Sequence, residues 1–141
     1  MCGRLPLAVA VTAFALAPET AARSAGDDKV PATLTGSVSF RTYCASCHGA
    51  DAKGDGPMTD NLRVRPPDLT LIARRSGGRF PADVVRRIVD GRTPVKGHGG
   101  PEMPVWGDAF RSSSDAYSDA KVAEKIGALV EYLRSIQAVA K

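Results

Sequence analysis

Five consecutive residues, Cys44-Ala45-Ser46-Cys47-His48, concentrate the reactive side chains of this 141-residue chain. Two thiols three positions apart share one face of a helical turn, and an imidazole follows directly. Such a pair serves as a redox dithiol, as half of a zinc site, or as the Cys-x-x-Cys-His anchor of a covalently attached haem. Structural zinc takes four ligands, and once the apolar leader with Cys2 is set aside the only other candidate is His98. A thioredoxin-like dithiol sits at a strand-to-helix junction, and no strand pattern precedes Cys44. The haem reading therefore leads. Both thiols would reach the vinyl groups along one side of a porphyrin, and His48 would fall beneath the iron as the proximal ligand.

A six-coordinate iron needs a second ligand from the opposite side. Met103 stands in Gly99-Gly100-Pro101-Glu102-Met103-Pro104-Val105-Trp106-Gly107, where prolines restrict the backbone and glycines let it pass close to a flat ring. A thioether there raises the reduction potential and leaves no position open to oxygen. Three alternatives stay open. Met58, ten residues past His48, reads as a core filler. His98, five residues before Met103, would make a bis-histidine site of lower potential. A vacant sixth position would leave the iron open to ligands.

Helices must carry these groups. Gly36, Phe40, Tyr43 and Cys47 fall at spacings of four, three and four, predicting a helix from about Thr35 into the cysteine pair. Gly49 to Pro57 is too rich in turn formers for a regular element. Pro66-Pro67-Asp68 opens a short helix with Leu69, Ile72 and Ala73 on one face, stopped by Gly77-Gly78. Pro81 opens another, with Val84, Val85, Ile88 and Val89 on its apolar face and Gly91 at its end. From Gly91 to Phe110 glycine and proline predict one long ordered loop. Val122, Ile126, Leu129, Leu133 and Ile136 mark an amphipathic helix from about Asp119. Gly127 inside it costs about 1 kcal/mol relative to alanine, which is tolerable if a second helix crosses closely there. No strand run and no internal repeat is present, so the expected class is all-α.

Taken together, Cys44 to His48, Gly54-Asp55-Gly56-Pro57, Pro67-Asp68-Leu69, Met103 to Gly107 and Leu129-Val130-Glu131-Tyr132-Leu133 resemble a bacterial class I cytochrome c, over about Thr35 to Ala138. The resemblance implies a cytochrome c-like fold of four to five short helices, with long loops wrapped around one haem. It implies that the first and last helices cross, bringing Gly36 and Phe40 to the region of Tyr132. It also implies that the Pro57 carbonyl accepts a hydrogen bond from the ring N–H of His48, fixing the imidazole and strengthening it as a donor. Trp106 and Leu69 would pack near the macrocycle. A basic side chain would meet the propionates, with nothing to pick Arg63 or Arg65 over the other arginines in the middle of the chain.

Residues 1–25 read as a cleaved secretory signal. Arg4 precedes an uncharged run of 13 residues, Leu5 to Ala17, short of the roughly 20 a membrane-crossing helix needs. Cys2 would leave with it. Residues 26–34 are expected to be a flexible lead-in and 35–141 the haem domain. Removing 1–25 takes Lys plus Arg from 19 to 17 and Asp plus Glu from 15 to 14, leaving +3. Two haem propionates bring that near neutral, and no aromatic-laced basic stripe supports nucleic acid as a partner. The expected function is single-electron transfer between unnamed redox proteins by a monomer in the periplasm, tethered there if the leader is retained. The alternatives are a subunit of a larger dehydrogenase or oxidase, and a peroxidase or sensor with an open sixth position.

Overall fold

The computed structural model describes residues 30–92, 103–113 and 117–138. The leader, His98 and the other residues between Arg92 and Met103 lie outside that set. Six α-helices occur among the described residues, with no strand: α1 (Ala32–Tyr43), α2 (Ala45–His48), α3 (Ile72–Arg75), α4 (Ala82–Asp90), α5 (Trp106–Arg111) and α6 (Asp119–Ser135). Short 3-10 turns occupy Thr59–Asn61 and Leu69–Leu71. None of the described helices is long and apolar enough to cross a membrane.

The first helix starts at Ala32, earlier than periodicity predicts. Pro31, with φ −54°, has the backbone preset for entry, and its carbonyl accepts from the amides of Leu34 and Thr35. The helix does not run unbroken into the cysteine pair. At Cys44 the backbone turns aside (φ −115°, ψ −32°), and α2 adds one further turn through His48. The predicted loop from Gly91 to Phe110 also ends sooner, because Trp106–Arg111 is helical. Gly107, a poor helix former, is accepted there because α5 is seated by packing: Gly107 and Phe110 are both buried.

The core forms where α1 crosses α6, with α4 and α5 laid against α6. Phe40, Val122, Ile126, Leu129 and Val130 are fully buried at its centre. The crossing is as close as two backbones allow. A Cβ on Gly36 would run into the Ala128 carbonyl and the Tyr132 Cβ, so only glycine fits. Phe40 packs on Tyr132 at 5.3 Å between ring centroids. The implied pairing of Gly36 and Phe40 with Tyr132 is therefore observed. Gly127 has no such role, since its open side faces only the far end of the flexible Arg86 side chain.

Gly91 closes α4 in the left-handed conformation, as its position predicts. Ser118 caps α6 by accepting from the Lys121 amide. At the other end of α6, Gln137 donates to the carbonyls of Leu69 and Leu133 and accepts from the Ala73 amide. That side chain ties the Leu69 turn to the last helix, and no sequence pattern marks it.

Candidate functional site

Cys44, Cys47 and His48 open onto one cavity of about 560 Å³, the range of a cofactor pocket. Its walls are mostly apolar, built by Leu62, Val64, Pro66, Pro67, Leu69 and Ile72 together with Val85, Ile88, Val89 and Leu133. Met103, Pro104 and Trp106 line it as well. Met103 is half-buried, whereas Met58 is 46 % exposed and is not among the lining residues.

Local geometry explains how the pentapeptide is presented. The amides of Cys47 and His48 donate to the Cys44 carbonyl, closing the turn that sets both sulfurs and the imidazole on one side. The following loop folds back along this turn. The Gly54 amide donates to the His48 carbonyl, the Gly56 amide to Cys47 and the Met58 amide to Ser46. The Thr59 hydroxyl adds a bond to the Cys47 carbonyl at 3.1 Å. Pro57 thus sits in a segment bonded on both sides to the α2 turn. Beyond it, the Asp68 carboxylate accepts from the Thr70 amide and hydroxyl, and the Leu69 amide donates to the Ala52 carbonyl, which fixes Leu69 on the wall.

The electrostatics favour neutral sulfur. Burial, with a smaller effect from the neighbouring Cys47, pushes the Cys44 thiol up to about 12. A reactive dithiol or a zinc thiolate needs the opposite shift. Among the described residues no group of three or more His, Cys, Asp and Glu side chains could hold a metal ion by themselves. An apolar cavity with two sulfurs on its edge suits thioether bonds to an apolar macrocycle, so the residues fit a covalently held haem.

Two basic side chains reach the cavity, Arg65 and Arg75. Arg65 is steadied by its Nε bond to the Gly54 carbonyl at 3.2 Å, and Arg63 is not among the lining residues. Behind Trp106, Tyr43 and Phe110 complete a cluster of edge-on and tilted rings 5.2 to 5.6 Å apart. Lys125 places its ammonium 4.9 to 5.2 Å from the rings of Tyr43, Phe110 and Tyr117. Sequence reading passed over Lys125 entirely, because a lysine on an amphipathic helix ordinarily faces water.

A protein-family model described as Cytochrome c matches residues 34–137. The chain belongs to the cytochrome c family. No match is found among curated proteins or among solved structures. Membership assigns covalently bound haem c, with its iron, as the cofactor and electron transfer between redox partners as the role. The matched span contains every described helix core, both thiols, His48 and Met103.

Proposed function

We propose that Cys44 and Cys47 tether the haem through thioethers, that His48 ligates its iron from one side and that Met103 ligates it from the other. One observation carries the reading: Met103, remote in sequence from the pentapeptide, lines the same cavity as His48 and both sulfurs. The bound haem supplies a one-electron iron couple. The chain does the rest. Leu69, Ile72, Val85 and Trp106 exclude water from the ring faces, which together with a thioether ligand favours the reduced, less charged iron. The Pro57 carbonyl accepts the ring N–H of His48 and holds the imidazole in one orientation. Arg65, anchored to Gly54, is the side chain that meets a propionate, in preference to Arg63.

With His48 and Met103 both holding the iron, no position would be left for a substrate, and electrons would pass through a brief contact with a redox partner. We further propose that the chain is exported by its apolar leader and works in the periplasm as a monomeric carrier. The mature N-terminus of protein recovered from a periplasmic extract tests the export step. The ligand set is tested by absorption spectroscopy: Met103 ligation requires a weak far-red sulfur-to-iron band in the ferric protein and slow carbon monoxide binding in the ferrous one. Rapid carbon monoxide binding by the intact protein would instead support a peroxidase or sensor.

A further inference from the structure

We infer that Arg92 is a positioning residue for Met103, clamping the end of α4 to the segment 103–107 that begins with this side chain. The inference rests on the reading of Met103 as an iron ligand. Residues 90–92 and 103–107 meet directly. A Cβ on Gly91 would lie 3.1 Å from the Val105 Cα, so the end of α4 and the residue before α5 touch through their backbones. The Arg92 guanidinium forks onto Asp90, Nε to Oδ1 at 2.5 Å and Nη2 to Oδ2 at 2.8 Å. The first turn of α5 rests on this pair, because a Cβ on Gly107 would run into Asp90 Oδ1 and Arg92 Nε. Arg92 also donates through Nη1 to Asp119 Oδ1 at 3.2 Å, and Arg111 of α5 pairs with the same oxygen. One guanidinium thereby joins the end of α4, the seat of α5 and the first turn of α6, beside the segment that runs from Met103 to Gly107.

A planar fork suits this task and an ammonium does not, since only the former spans both Asp90 oxygens while reaching Asp119. Both partners are about a quarter exposed, 29 % for Arg92 and 26 % for Asp90, so the pair is screened only in part. Its loss would let the Met103 segment swing relative to the cavity without uncovering the core.

The test compares full-length holoprotein of the wild type with Arg92→Gln, Arg92→Lys, Gly107→Ala and, as a control on the exposed face of α6, Lys121→Gln. Haem content by mass of the denatured protein is expected to be equal in all. In Arg92→Gln and Gly107→Ala the far-red ferric band weakens, the reduction potential falls, and carbon monoxide binds roughly three to ten times faster. Arg92→Lys recovers part of each change, and Lys121→Gln matches the wild type. A full band and wild-type carbon monoxide rate in both Arg92→Gln and Gly107→Ala would overturn the inference, even with a lowered thermal midpoint, because that pattern belongs to a merely structural ion pair. A wild type that itself lacks the band would overturn the Met103 reading, and this inference with it.

Discussion

At the scale of single residues the proposed haem attachment and ligation divide among Cys44, Cys47, His48 and Met103, and their substitutions separate cleanly. Met103→Ala is expected to keep haem attached, lose the far-red band and bind carbon monoxide readily, as checked by absorption spectra of the ferric and reduced protein. Replacing Cys44 and Cys47 together by alanine removes both tethers, so denatured, acid-extracted protein should weigh no more than its polypeptide and be colourless. The raised Cys44 thiol fits this division. Its surroundings disfavour charge, which suits a thioether and opposes any role as a thiolate.

At the scale of elements, the crossing of α1 on α6 is the joint at the centre of the core. Gly36→Ala forces a methyl group onto the Ala128 carbonyl, and neither backbone can yield without parting the helices. Overpacking of this kind costs about 1–3 kcal/mol, to be read as a lower denaturant midpoint with an unchanged slope. Phe40→Ala on the same face removes a fully buried ring and should cost about 3–5 kcal/mol in the same measurement. Gly127→Ala, by contrast, meets only a movable arginine tip and gains helix propensity, so the midpoint should hold or rise slightly.

At the scale of the whole molecule, two carboxylates, each held by a residue two positions further on, make stability depend on acid. The hydrogen bond from Arg92 holds the Asp90 carboxyl below its ordinary value of 3.8, and the bond from the Thr70 hydroxyl does the same for Asp68. A depressed carboxyl favours the folded state above its unfolded value and ceases to do so as pH falls through its folded one. Stability measured from neutrality downward should therefore be level until about pH 4 and then decline, and Asp90→Asn should start lower and decline less. Haem matters at this scale too. The cavity walls are mostly apolar, and without the macrocycle they lose their packing partner and meet water. The double cysteine variant is accordingly expected to lose most of its helical circular dichroism, not its colour alone.

What the chain determined without tertiary information was local. The pentapeptide lies within one helical turn, α4 is bounded by Pro81 and Gly91, and α6 repeats its apolar residues at helical spacing, so each could be read from short windows. The spacing of Phe40 and Cys47 likewise indicated a helix, yet not the bend at Cys44, which follows from the loop folding back to bond Ser46, Cys47 and His48. Glycine shows the limit most clearly. Gly36 and Gly127 look alike in sequence, and only the path of a helix far along the chain makes the first indispensable and the second ordinary. The same holds for Met103 against Met58. Each is a methionine beside a proline, and what separates them is that one lines the cavity with His48 while the other faces solvent. The Arg92 clamp and the Lys125 aromatic seat were invisible for the same reason: a charged residue's partner is chosen by which distant elements the fold brings within a few ångströms, and no periodicity along one chain encodes that distance.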